Sequence, residues 1–308
     1  MKKFIALLLL CLLLTGCRPD PQPQAKTLFC MDTVMDLTVW GGKRDTLSQL
    51  EELLTGLEMT WSVTDSTSLL SQLNRGEAPA LSDAQRALLE QAEALSERTG
   101  GAFDPRLHAL SLAWGFYGGN YRVPTQAEID RALPQKQWDL GGILKGYAGM
   151  ACVRLLEEAG VQRAMLVLGG NVQTYGAKPG GVPWQIGIQN PDGGDPIARL
   201  EITGTQAVVT SGDYQRYFEE NGVRYHHILD PATGRPASSG LRSVTIVCAD
   251  GATADALSTA LFVLGLEKGS QLWRDSGDFE AVFLSTDGTL YATDGLTLSG
   301  CDYEVISR

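Results

Sequence analysis

Several groups of residues in this chain have the types and spacing that chemistry needs. Asp255, Ser258 and Thr259 fall at i, i+3 and i+4 in the run Ala-Thr-Ala-Asp-Ala-Leu-Ser-Thr-Ala-Leu that starts at Ala252. On a helix this spacing sets three oxygen-bearing side chains on one face near the N-terminus. Hard oxygen donors on an otherwise apolar helix suit Mg²⁺, which completes its shell with water and substrate phosphate. The bland reading makes Asp255 a first-turn acid favoured by the helix dipole and has the hydroxyls bonding back to carbonyls. A second group is Gly141-Gly142, which opens a helix carrying Lys145 in its first turn. Glycine-rich turns at helix N-termini offer free backbone N–H groups to anions, although a tight turn with a solvated lysine has the same sequence.

A third group is His226-His227-Ile228-Leu229-Asp230-Pro231-Ala232-Thr233-Gly234, a strand end running into turn chemistry. Two of the three histidines of the chain meet there, and strand alternation lets only one of them face a site. Further segments supply rings and hydroxyls: Gly101-Ala102-Phe103-Asp104-Pro105, Trp114-Gly115-Phe116 and Thr210-Ser211-Gly212-Asp213-Tyr214. Together these offer stacking to a planar ligand and donors to a phosphate.

These groups need elements to hold them. Leu47, Leu50, Leu53, Leu54 and Leu57 have helical spacing within 45–59. A capping box, Ser82-x-x-Gln85, opens a helix over 82–100, and Thr125-x-x-Glu128 opens a short one. A fourth helix is expected over 143–158, stopped by Gly160. Strand-like runs occupy 164–168, 185–188, 207–210, 224–229, 244–247, 281–285 and 289–292, the last two joined by Asp287-Gly288. Helices interspersed with strands, without an internal repeat, predict a single mixed α+β domain over 27–308, with a sheet packed by helices.

The N-terminus has a different composition. Met1-Lys2-Lys3 and an apolar run over 4–14 form a signal segment too short to span a bilayer. Leu14-Thr15-Gly16-Cys17 is similar to the lipobox of bacterial lipoproteins, so residues 1–16 are expected to be removed and Cys17 lipidated. That places the protein outside the cytoplasm, anchored on the outer face of the cytoplasmic membrane or the periplasmic side. Proline-rich residues 17–26 read as a flexible tether. The formal charge of −11, which becomes more negative once Lys2 and Lys3 leave with the signal, argues against nucleic acid as a partner. Cys30, Cys152, Cys248 and Cys301 form no C-x-x-C pair, so a zinc or thioredoxin-like site is unsupported; Cys152 and Cys248 are expected reduced in the core.

Taken in order over 29–298, the chain resembles the ApbE family of FAD:protein FMN transferases. The blocks that carry the resemblance are Met31-Asp32-Thr33, Gly101 through Pro105, Trp114-Gly115-Phe116, Asp139 through Ala148, Gly169-Gly170-Asn171, Thr210 through Tyr214, His227 through Gly234 and Asp255 through Thr259. The resemblance implies a mixed α/β domain, FAD as substrate, Mg²⁺ as cofactor, and transfer of FMN through its phosphate to a threonine of an acceptor flavoprotein, with release of AMP. It implies metal ligation by Asp255, Thr259, Ser258 and the Leu144 carbonyl. Flavin contacts would come from Met31, Ala102, Phe103, Asp104, Gly141, Tyr147, Thr210, Ser211, His227 and Ile228, and His227 and Lys145 would be catalytic. The chain departs from the family pattern at Asp32, where the family has Gly, at Leu144, where it has Ala, and at Met150, where it has Asp.

The alternatives to transfer are an FAD pyrophosphatase yielding FMN and AMP, a non-catalytic flavin-binding lipoprotein, and a lipoprotein that binds another solute. The resemblance also implies acceptors like Asp-Gly-x-Thr-Gly-Ala-Thr, modified on the last threonine. Two stretches of this chain begin that way, but Ala256 and Gly300 stand at the acceptor position, so the acceptor is expected to be another protein.

Overall fold

The computed structural model describes residues 21–308. The signal segment, the lipobox and Cys17 lie outside the described residues. Strand β1 (Pro23–Cys30) starts inside the stretch read as tether, so its last four residues are paired rather than free. Proline is tolerated there because β1 is an edge strand.

A nine-stranded sheet forms the frame, in the order β1, β2 (Thr33–Gly41), β3 (Val161–Leu168), β4 (Asn171–Tyr175), β7 (Ala207–Gly212), β12 (Leu241–Cys248), β13 (Phe279–Ser285), β14 (Leu290–Thr293) and β16 (Glu304–Ile306). Every pairing in it is antiparallel except the last, between β14 (Leu290–Thr293) and β16 (Glu304–Ile306). Strand β12 (Leu241–Cys248) shows why a Val-rich run reads as a fully buried strand. Val244, Ile246 and Cys248 face the helices, while Val247 joins Trp184, Ile186 and Leu200 of a three-stranded sheet packed on the opposite side. The layers are therefore helix, large sheet and small sheet, and central strands such as β12 bury both of their faces while the edge strand β1 does not.

Helices α1 (Thr46–Trp61), α3 (Asp83–Arg98) and α6 (Leu144–Glu158) occupy the places their periodicity predicts. Between them come the short α2 (Leu69–Asn74), α4 (His108–Ala113) and α5 (Gln126–Ala132). Both expected capping boxes are formed, at Ser82/Gln85 and Thr125/Glu128. Helix α7 (Gly251–Asp275) starts under the Asp250 side-chain cap and is interrupted at Gly265, where φ is 78°. All four cysteines in the described residues are free thiols; Cys30, Cys152 and Cys248 are buried. No described helix is long and apolar enough to cross a membrane.

The N-terminal turns of α6 and α7 cross backbone against backbone. A methyl group built on Gly146 would lie 1.9 Å from the Gly251 carbonyl oxygen, and one on Gly251 would lie 2.4 Å from the Gly146 oxygen. No rotamer change relieves a clash between two backbones. Gly146→Ala is therefore expected to cost at least the ~1–3 kcal/mol typical of overpacking, read as a lower thermal midpoint with loss of ligand binding. The change Gly56→Ala, on α1 with no positive φ and nothing within 4 Å of the added methyl, is the helical control without a clash.

Candidate active site

One cavity of about 840 Å³ opens at the helix-side end of the sheet. It lies within the range of small-molecule sites. Three tight connections build its walls. Between β1 and β2 (Thr33–Gly41), Met31 and Asp32 form a two-residue turn with φ of 52° and 59°. Positive φ at both central residues is the type I′ pattern that matches hairpin twist. Glycine is the easy residue at such a position, which Asp32 occupies here. Between β3 (Val161–Leu168) and β4 (Asn171–Tyr175), Gly169 and Gly170 make the same kind of turn. Gly169 abuts Thr33, since a methyl there would come within 2.4 Å of the Thr33 side chain.

The third connection positions His227. Strands β8 (Tyr217–Glu220) and β9 (Val223–His226) pair through an Asn221-Gly222 turn, again with positive φ at both residues. The expected strand over 224–229 thus ends at His226. One residue past the ladder, the His227 amide donates to the Arg216 carbonyl at 3.0 Å, and Nδ1 reaches the same oxygen at 3.1 Å. The carbonyl accepts only, so Nδ1 carries the proton and Nε2 keeps its lone pair. His226 points elsewhere, with Nε2 on the Ala237 carbonyl and its ring edge-on to Phe262. Only His227 lines the cavity. Burial, and after it the Arg216 cation, hold the His227 pKa down to about 3, with Lys145 a smaller contribution.

Asp255, almost fully buried, meets the cavity from α7. Its Oδ2 accepts from the Gly146 amide at 2.9 Å, one of the unpaired N–H groups of the first turn of α6. No lysine, arginine or histidine pairs with it among the described residues, so a buried carboxylate faces the cavity uncompensated. Ser211 Oγ lies 3.3 Å from Thr259 Oγ1, and a methyl on Gly142 would sit 3.5 Å from that hydroxyl. The Asp255 carboxylate, the Thr259 hydroxyl and the Leu144 turn line the same cavity, and hard oxygen donors of this kind suit Mg²⁺. Ser258 does not join them: its hydroxyl donates to the Asp255 carbonyl at 2.8 Å, shares a contact with Ser211 and is absent from the cavity wall. That is the back-bonded arrangement, and it sets Ser258 behind the site.

Of the other expected residues, Met31, Ala102, Phe103, Asp104, Gly141, Leu144, Lys145, Thr210, Ser211 and Ile228 line the cavity. Tyr147 does not; it packs against the main core beside Arg154. Residues to which the sequence attached no role also enter. Glu58, from the last turns of α1, accepts from the Met31 amide at 2.9 Å and so pins the strained turn. Asp139 accepts from Tyr117 at 2.7 Å, Ser111 at 3.2 Å and the Gly141 amide at 3.0 Å. Asn171 presents a buried Nδ2 with no hydrogen-bond partner. The Asn221-Gly222 pair was the available signal for the His227 hairpin; Glu58 had none, lying on a helix far away in sequence.

Fold and cavity together define a mixed α/β enzyme with an imidazole, a lysine and a buried carboxylate in one cavity. The ApbE family profile matches residues 31–283. A Treponema pallidum protein named FAD:protein FMN transferase is 36% identical over 288 residues, covering 80% of each chain. A Vibrio cholerae protein of the same name is 31% identical, covering 87% of this chain and 90% of that one. The crystal structure of the ApbE protein of Thermotoga maritima superimposes with a TM-score of 0.82 at 34% identity, over 89% of this chain and 98% of that one. The flavin transferase ApbE of Vibrio cholerae gives 0.78 at 28% identity, over 90% and 98%. The chain belongs to the ApbE family of enzymes.

The His227 environment carries a pH consequence. In the unfolded chain the imidazole titrates near 6.5, whereas in the folded protein it resists protonation down to about 3. Between those values the unfolded state binds more protons, so stability is lost as pH falls below about 6.5. The thermal midpoint is expected to drop between pH 7 and pH 5, and His227→Gln should flatten part of that slope.

Proposed function

We propose that this protein is an FAD:protein FMN transferase that moves FMN from FAD to a threonine hydroxyl of an acceptor protein and releases AMP. The single observation that carries this reading is the meeting, in one cavity, of a neutral imidazole with a free Nε2, a lysine without an acidic partner among the described residues, and an uncompensated buried carboxylate. The family membership supports it.

Four tasks fall to the chain's own residues. The Met31 turn and the Phe103 wall shape the flavin end of the cavity, and the Gly142 amide, beside the Gly141 amide that Asp139 already engages, is the backbone donor offered to the phosphates. Lys145, held with Nζ 3.2 Å from the Gly141 carbonyl, stands where negative charge concentrates. His227 Nε2 accepts the acceptor hydroxyl proton as the oxygen–phosphorus bond forms and the bond to the AMP phosphate breaks. Its basicity rises when the substrate's negative charge offsets Arg216 and Lys145. Mg²⁺, held by Asp255, Thr259 and the Leu144 carbonyl, would neutralise non-bridging phosphate charge when bound.

Incubation with FAD, Mg²⁺ and a protein bearing the Asp-Gly-x-Thr-Gly-Ala-Thr motif tests the reading by AMP assay and mass spectrometry. The expected result is covalent FMN on the acceptor and none on this chain; FMN and AMP released with no modified acceptor would make it a pyrophosphatase. Asp255→Asn should abolish turnover, His227→Ala should lower kcat by roughly 10²–10⁴-fold with a smaller change in FAD affinity, and Ser258→Ala should cost far less than Thr259→Ala.

We also propose a lipid anchor at Cys17, on the strength of the basic, apolar and lipobox segments that precede it. Cys17→Ala should move the protein from membrane to soluble fractions, and an intact mass showing a cleaved but unmodified Cys17 would refute the anchor.

A further inference from the structure

Arg216 is placed twice over at the site. Its carbonyl fixes both the amide and the imidazole of His227, which immobilises the backbone. Its side chain lines the cavity and reaches across the mouth to Asp32 Oδ2 at 2.6 Å. Arg216 and Lys145 both act electrostatically on the His227 ring, and all three residues line the same cavity. The Lys145 ammonium touches only a carbonyl. Apart from Asp32, the acids on the cavity wall are engaged elsewhere: Glu58 holds Met31, Asp104 pairs with Lys136, Asp139 holds Tyr117, and Asp255 holds Gly146.

Asp32 is a poor fit for its own backbone and an easily displaced partner. It sits at φ 59° in a turn that favours glycine, and its side chain is 76% exposed. An exposed ion pair contributes little in water, whereas a guanidinium facing a phosphate in a cavity forms short, bidentate, charge-assisted hydrogen bonds. A single carboxylate thus occupies the guanidinium in the free protein, and a diphosphate bearing two negative charges is the better partner.

We propose that Arg216 binds the diphosphate of FAD and that Asp32 is its counter-ion in the free protein, so that Asp32 sets substrate affinity by competing with the phosphates. The proposal rests on the FAD reading of the cavity. It gives Arg216 two jobs, one through its carbonyl toward His227 and one through its guanidinium toward substrate. It also gives the departure at Asp32 a consequence: this chain binds FAD less tightly than the same chain with glycine there.

Dissociation constants for FAD and for riboflavin, which lacks phosphate, test it in the full chain and in Asp32→Gly, Arg216→Gln, Arg216→Lys and the double variant Asp32→Gly/Arg216→Gln. Asp32→Gly should tighten FAD by about two- to fivefold, the range an exposed ion pair spans. Arg216→Gln should weaken FAD by roughly tenfold or more, with Arg216→Lys between them because it keeps charge but loses the fork. The double variant should show no gain over Arg216→Gln, and riboflavin constants should stay within about twofold throughout. An unchanged FAD constant in Asp32→Gly, or equal losses for FAD and riboflavin in both Arg216 variants, would overturn the proposal and leave Arg216 a structural residue. Absence of FAD binding by the unaltered protein would instead overturn the reading of the cavity itself.

Discussion

The crossing of α6 over α7 at Gly146 and Gly251 is the constraint on which the site depends. Two helix N-termini can approach to backbone contact only if neither carries a Cβ at the crossing. The approach brings the Asp255 carboxylate within hydrogen-bond reach of the Gly146 amide, so an orphan donor of one helix is satisfied by an acid of the other. From that single contact the rest of the geometry follows. The Gly141-Gly142 turn is laid over Thr259, Lys145 is turned toward the cavity, and the helix pair is seated on β7 (Ala207–Gly212) and β12, which contribute Ser211 and the core beneath it. A wider crossing would leave Asp255 buried without a partner and separate the oxygen donors.

The second principle is the electrostatic tuning of one ring in an acidic molecule. The chain carries a formal charge of −11, yet Lys145 and Arg216 meet around the His227 imidazole. Low dielectric and these cations keep the ring neutral, and the Arg216 carbonyl fixes which nitrogen is free. The same cations that suppress the base in the free protein would be offset by an anionic ligand, which would couple proton acceptance to occupancy of the cavity.

Rigid positioning comes from type I′-like turns, in which two consecutive residues with positive φ leave no slack between paired strands. Met31-Asp32 and Gly169-Gly170 border the cavity, and Asn221-Gly222 sets the register that carries His227 opposite Arg216. Glu58 adds a tether from α1 to the first of these turns, where two non-glycine residues hold left-handed backbone.

The sequence by itself determined the helices whose apolar spacing and capping boxes are local properties, such as α3 from Ser82 and α5 from Thr125. It also marked the runs that become buried central strands, and the glycine, histidine and oxygen-rich blocks that line the cavity. The β1–β2 hairpin escaped because its turn has no Asn-Gly or Asp-Gly signal and its first residues look like a proline-rich linker. Alternation of Met35, Leu37 and Val39 was the trace left of it. Tertiary structure alone decided which members of each block reach the cavity. Ser258 and Thr259 are adjacent in sequence, but helix rotation gives one hydroxyl to a backbone carbonyl and the other to the site. Tyr147 turns into the core, and Glu58 and Arg216 arrive from distant segments. Periodicity reports which face of an element is buried, whereas a site is made where faces of several elements meet, and that meeting is set by the packing of the whole chain.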